Sequence, residues 1–324
     1  MRTSLHFSTV LSFLSCCTGQ YHTTRPWCYH SQYSCDDTCE EPEKWFQMFP
    51  ECGGQRQSPI NIVTSTVQYD PALGPFAFDG HDHISNITVD HLGHSAHFAL
   101  PQSMRIHGGG LPSVYKALQF HLHWGVNAGP GSEHTVDGER YPMELHIVYI
   151  KEEYQSLEEA ESDSAGIAVL GFFFEASQED NPHFDRVLEA LRRVRFIGNT
   201  SSVAAFKLSD IIPPAHELSA YYRYCGSMTT PACNEAVIWT IFHKTLPASH
   251  RQLVEVAGEV WYWTGKPMTN IFRPAQQLNG RVVSRSSPLP DELSALTDSA
   301  VPFLSGSAFC LCSVLVSVSL YCAL

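Results

Sequence analysis

A chain of 324 residues in which 44% of side chains are hydrophobic and 16% charged is long enough for one large core and close to the length at which cores divide. The formal net charge of −13, with basic residues scattered except for Arg192, Arg193 and Arg195, excludes a nucleic-acid surface, which needs clustered cations. Eleven cysteines are too many for an ordinary cytosolic enzyme of this size, so their distribution matters more than their number.

In chain order, residues 1–20 combine an early Arg2 with an apolar run through Val10, Leu11, Phe13 and Leu14, and read as a secretory signal peptide. Six cysteines between the two ends, Cys28, Cys35, Cys39, Cys52, Cys225 and Cys233, form an even set suited to an oxidising compartment. The sequons Asn86-Ile87-Thr88 and Asn199-Thr200-Ser201 fit the same route and make Asn86 and Asn199 candidate glycosylation sites. Short apolar or alternating runs at 58–63, 86–89, 94–100, 115–124, 143–150, 167–174, 237–243 and 260–264 predict strands. No internal linker separates them, so residues 21–298 are expected to form a single domain.

Asn181-Pro182 predicts the start of a helix with Phe184, Val187, Leu188, Leu191 and Val194 on one face. Its end carries Arg192, Arg193 and Arg195, where cations suit the helix dipole. A shorter helix is expected over 249–256, capped by Ser249. The tail from 308 to 324 has no charge, and with small residues at Asp298-Ser299-Ala300 upstream, 299–324 reads as a GPI-attachment signal that is removed. A single membrane-spanning helix is the alternative, though the uncharged run barely reaches the minimum span.

The chemistry is concentrated in residues 117–125. Side chains alternate faces along a strand, so Gln119, His121 and His123 share one face while Leu118, Phe120, Leu122 and Trp124 share the other. In the segment 143–150, Glu144, His146 and Val148 share a face in the same way. A lone His-x-His is more often a pair of structural histidines than a metal site. Three neutral imidazoles with one open position, however, are what a catalytic Zn2+ needs, because the fourth place holds the water to be activated. Gln119 and Glu144 each precede a histidine by two residues and are placed to accept its other ring N–H.

Further motifs follow in order: Gln57-Ser58-Pro59-Ile60-Asn61-Ile62, Gly93-His94-Ser95, Ser132-Glu133-His134-Thr135-Val136-Asp137-Gly138, Ala168-Val169-Leu170-Gly171, Ser227-Met228-Thr229-Thr230-Pro231 and Arg273-Pro274-Ala275-Gln276. With the two histidine segments, they run across roughly residues 27–283. Several short motifs in one order are far more specific than any one of them. In these motifs the chain resembles the α-class carbonic anhydrases, and with its two ends it is similar to that family's GPI-anchored extracellular branch.

The resemblance implies a mainly β (α+β) single domain, with a large central twisted, mostly antiparallel sheet, peripheral helices and a conical cleft. It implies reversible hydration of CO2 to bicarbonate and a proton by a zinc-bound hydroxide, at the outer leaflet of the plasma membrane. Zn2+ would be held by His121, His123 and His146. Thr229 matches the residue that orients the hydroxide, and Glu133 the carboxylate that accepts the Thr229 hydrogen. Val148, Val169, Met228, Val237 and Trp239, with Thr229 and Thr230, match the substrate site, and His94 matches a proton shuttle served by Tyr29. Leu92 departs from the polar residue common at its position, and Ala232 departs at the cleft rim. Bridges are implied for Cys28 with Cys39 or Cys35, and for Cys52 with Cys233. The implied partners are CO2 or bicarbonate, sulfonamide-type inhibitors and the membrane through a GPI lipid, with the protein a monomer. A catalytically silent, extracellular binding domain of the same family is the competing expectation.

Overall fold

Alternating and apolar runs assemble into a twelve-stranded sheet. A computed structural model describes residues 27–32 and 39–288; the expected leader, the expected GPI signal and Cys35 lie outside the described residues. Eight strands carry the sheet: β1 (Ser85–His91), β2 (Ala96–Ala99), β3 (Tyr115–Trp124), β4 (Met143–Lys151), β5 (Ile167–Ser177), β6 (Thr200–Phe206), β7 (Tyr221–Gly226) and β8 (Val237–Ser249). They lie side by side in the order β6-β1-β2-β3-β4-β5-β8-β7. Every neighbour in this path is antiparallel except the pair β5 and β8.

The middle strands are buried on both faces, which is why 167–174 reads as a continuous apolar run rather than an alternation. Two cores result. On one face Phe120, Leu122, Leu145, Ile147, Leu170 and Phe172 pack in a cluster with Phe184, Leu188, Leu191 and Leu253. On the other, Val148, Val169, Phe173, Val237, Trp239 and Ile241 form a second cluster, and alternation puts the three histidines on that side.

The predicted helices are present as α2 (Pro182–Arg193) and α3 (His250–Glu259), after a single turn α1 (Leu157–Ala160). Asn181 caps α2 by accepting from the N–H groups of His183 and Phe184, and Ser249 caps α3 in a reciprocal box with Gln252; both occupy orphan backbone donors. Arg192 pairs with Glu255 and Glu259, and Arg195 with Glu259 at 2.8 Å. The small basic cluster thus joins two helices.

Residues 260–264 are not a strand. Val260 ends α3, and the chain reverses at Gly265 (φ +74°) so that Tyr262 N–H meets Lys266 O at 2.9 Å, leaving only a single bridge between Trp261 and Pro267. Conversely, β6 and β7 were not expected. The former is largely exposed and lacks an apolar signature because it borders the sheet.

Two bridges join Cys28 to Cys39 and Cys52 to Cys233; Cys225 stands outside both. The second spans 181 residues and anchors the loop after β7. Replacing Cys52 and Cys233 together by serine is expected to lower unfolding stability by about 2–5 kcal/mol, measured by denaturant titration of the two proteins.

Candidate metal centre

The antiparallel register of β3 and β4 sets His146 opposite His121 and Glu144 opposite His123. The three rings lie with centroids 4.6, 5.0 and 5.3 Å apart. Each is gripped by one nitrogen. His121 Nδ1–H donates to Gln119 Oε1 at 2.9 Å, His123 Nδ1–H to the Ile271 carbonyl at 2.6 Å, and His146 Nε2–H to Glu144 Oε1 at 2.7 Å. Those acceptors select the tautomers and leave the lone pairs of His121 Nε2, His123 Nε2 and His146 Nδ1 for a ligand.

One nitrogen from each ring falls within 4.8 Å of the others, and the buried His123 Nε2 makes no hydrogen bond. An orphaned, buried acceptor beside two more nitrogen donors fits a Zn2+ ion. Burial first, then the neighbouring His123, His97 and His146, hold the His121 pKa well below its ordinary value. Burial likewise lowers that of His123, against the opposing charge of Glu133. Both rings are therefore neutral at pH 7, the form that ligates.

Above the histidines opens a cavity of about 560 Å3. Its apolar side is Leu118, Val148, Val169, Met228 and Trp239, and its polar side includes Tyr29, Gln119, Thr229 and Thr230. Val237 is fully buried in the same apolar cluster and does not line the cavity. The match of a family description, eukaryotic-type carbonic anhydrase, over residues 40–287 covers this whole arrangement. The chain belongs to that family. It is 40% identical to carbonic anhydrase 4 of Oryctolagus cuniculus, over 82% of this chain and 87% of the relative. It is 37% identical to carbonic anhydrase 15 of Mus musculus, over 86% and 88%, and 36% identical to carbonic anhydrase 12 of Homo sapiens, over 75% and 70%.

Three placements differ from those implied by the carbonic anhydrase motifs. Besides Val237, His94 is not among the residues lining the cavity; its ring stacks on Trp27 with centroids 3.6 Å apart, and its Nε2 meets the Trp27 carbonyl at 3.0 Å. The expected hydrogen bond from Thr229 to Glu133 is not formed. Glu133 Oε1 accepts the Arg273 backbone N–H at 2.8 Å, whereas Oε2 has no hydrogen-bond partner among the described residues and lies 3.5 Å from His123 Nε2.

Sequence reasoning also left His134 and Tyr224 without a role and offered His97 only as an extra imidazole substituting for the polar residue absent at Leu92. His97 lines the cavity and stacks on His121 at 5.1 Å; burial, then His123, pushes its pKa down to about 4. His134 donates from Nδ1 to Glu144 Oε1 at 2.7 Å. The Tyr224 hydroxyl then bridges His134 Nε2 at 2.6 Å and Ser58 Oγ at 2.8 Å. The position of Glu144 two residues from His146 signalled this carboxylate but not its other partners, and the Ile271 carbonyl carries no sequence signal because any residue has one.

Glu144 is the centre of that network. Its Oε2 accepts the backbone N–H groups of Glu133 and His134, each at 2.8 Å. Burial pushes its pKa up, but the His134 and His146 rings more than offset this, and the carboxyl sits well below its ordinary value. Glu144→Gln replaces one accepting oxygen by a donor facing N–H groups, and is expected to weaken zinc affinity by roughly 10–100-fold, read by chelator competition.

His97 should shape the acid limb of stability. Between the ordinary value of 6.5 and about 4 the unfolded chain binds a proton that the folded ring does not, so stability falls as pH drops through that window. His97→Asn is expected to flatten the fall, and thermal denaturation of both proteins across pH 4–7 measures it.

Proposed function

We propose that this carbonic anhydrase reversibly hydrates CO2 to bicarbonate and a proton with Zn2+ held by His121, His123 and His146. The observation that carries this reading is the convergence of three gripped imidazoles, those of His121 and His123 held neutral by burial, at the base of a cavity with an apolar wall. When bound there, Zn2+ supplies a Lewis acid that lowers the pKa of water to about 7, a magnitude for which carbonic anhydrases are themselves the reference case.

The chain's own residues do the rest. CO2 offers little to hydrogen-bond, so the wall of Val148, Val169, Met228 and Trp239 receives it by excluding water. We assign to the Thr229 hydroxyl the orientation of the nucleophile, because only an aligned lone pair reacts quickly. We assign its own hydrogen to Glu133 Oε2, the oxygen of that carboxylate that receives no hydrogen bond among the described residues, which requires the hydroxyl to turn toward Glu133. An ionised carboxylate can only accept, which sets the direction of the relay. Proton export is assigned to His94, aided by Tyr29, since an imidazole titrates near neutral pH. That task requires the His94 ring to leave its stack on Trp27.

A silent binding domain would lack part of this set, yet every donor and both relay residues are present. We place the enzyme at the outer face of the plasma membrane, tied by a GPI lipid after removal of 299–324; two disulfides support an oxidising compartment. Among the described residues no helix is long and apolar enough to cross a membrane.

His121→Ala is expected to lose both zinc retention and CO2 hydration in stopped flow, with sulfonamide-sensitive hydration in the parent protein. Retained activity in a zinc-free His121→Ala preparation would sink the metal mechanism. Phosphatidylinositol-specific phospholipase C should release the protein from expressing cells, and resistance to it would point to a spanning helix.

A further inference from the structure

We propose that Asn199 carries an N-linked glycan whose first sugar seats on Phe196 and that this glycan screens the mouth of the catalytic cavity by size. The inference rests on the secretory and metal-site reading above and adds a control on what reaches that site.

The sequon Asn199-Thr200-Ser201 enters β6 at a turn that begins with Phe196. Asn199 N–H donates to Phe196 O at 2.9 Å, Gly198 supplies the left-handed residue (φ +79°), and Phe196 N–H returns a bond to Asn199 Oδ1 at 3.0 Å. This last contact engages the oxygen of the side-chain amide and leaves Nδ2, the atom that is glycosylated, without a protein acceptor among the described residues. Phe196 is 57% exposed. A single exposed aromatic is ordinary on a protein surface, but here a hydrogen-bonded turn holds it three residues before an acceptor asparagine. An aromatic face there can take the C–H face of a pyranose, whose hydrogens carry the complementary partial charge.

The same turn is fastened to the catalytic cleft. Gly198 N–H donates to His91 O at 2.9 Å and His91 N–H to Asn199 O at 3.0 Å, while the Thr200 hydroxyl donates to Asp90 Oδ1 at 2.6 Å. Gly198, Asn199 and Thr200 accordingly line the cavity that contains His121. A glycan at this place stands beside the entrance, where CO2 and bicarbonate slip past and a bulky ligand does not. The other sequon is a natural control: Asn86 lies in β1, its Oδ1 accepting from Ala205 N–H at 3.1 Å, and it does not line the cavity.

The test compares full-length protein, Ser201→Ala and Thr88→Ala, all displayed on a eukaryotic host and released from its surface by phosphatidylinositol-specific phospholipase C, by glycopeptide mass, CO2 hydration and the association rate of an aromatic sulfonamide, free or tethered to a soluble polymer. The expected result is a glycan at Asn199, hydration and free-sulfonamide association unchanged within about twofold, and tethered sulfonamide associating at least about fivefold faster with Ser201→Ala than with the parent or Thr88→Ala. Enzymatic deglycosylation should lower the Tm of the parent protein but not of Phe196→Ala, which reads the seating of the sugar separately. An unmodified Asn199, or equal association of the tethered ligand with all three proteins, would overturn the proposal. If no form hydrates CO2 or binds sulfonamide, the zinc reading has failed and the screening role falls with it, while glycan occupancy and the Phe196-dependent Tm difference still decide the modification itself.

Discussion

The site depends on the pairing of β3 with β4 in one register. With His146 opposite His121 and Glu144 opposite His123, three rings face one point; a slip by one residue would turn His146 into the opposite core. Packing and charge both hold the register. Leu145 and Ile147 pair with Leu122 and Phe120 and enter the helix-covered core, and a misaligned Glu144 would be a buried carboxylate stripped of the four N–H groups it accepts from. Removing such partners from a buried charge costs far more than an ordinary hydrogen bond.

Distant segments converge on the same point through buried polar groups. Arg273, 1% exposed, donates from its backbone to Glu133 and from its guanidinium to Gln57 Oε1 at 2.7 Å, Ser58 O at 3.0 Å and Cys52 O at 2.9 Å. Cys52 in turn is bridged to Cys233, whose N–H holds Thr230 O at 2.8 Å. The loop carrying Thr229 is therefore tied to the N-terminal motif covalently and by Gln57 Nε2 donating to Cys233 O at 3.2 Å, while Arg273 ties the same motif to Glu133. The bridge that suits a secreted protein also steadies the part of the cavity assigned to orient the nucleophile.

Much of this was legible because it follows short-range rules. Period-two alternation placed His121, His123 and His146 on one face of their strands, Asn181-Pro182 and Ser249 marked helix starts, and the order of short motifs identified the family. What escaped lacked a local signal. Residues 260–264 are as apolar and aromatic as a strand, yet a turn at Gly265 uses them; β6 is too exposed to show alternation. His134 and Tyr224 sit in or beside recognisable motifs, but their roles arise only from the hydrogen bonds they make to Glu144 and Ser58.

The sequence by itself determined the donor set: imidazoles at positions 121, 123 and 146, the carboxylates 133 and 144, and the Cys52–Cys233 pair implied by the motifs, with the partner of Cys28 open between Cys35 and Cys39. Chain topology alone decided how each donor is used. The Ile271 carbonyl selects the His123 tautomer from 148 residues away, His94 rests on Trp27 rather than in the cavity, and Glu133 offers Oε2 because Arg273 occupies Oε1. Side-chain chemistry is carried by residue identity, whereas orientation and protonation are set by whichever neighbours the folded chain brings within hydrogen-bond reach.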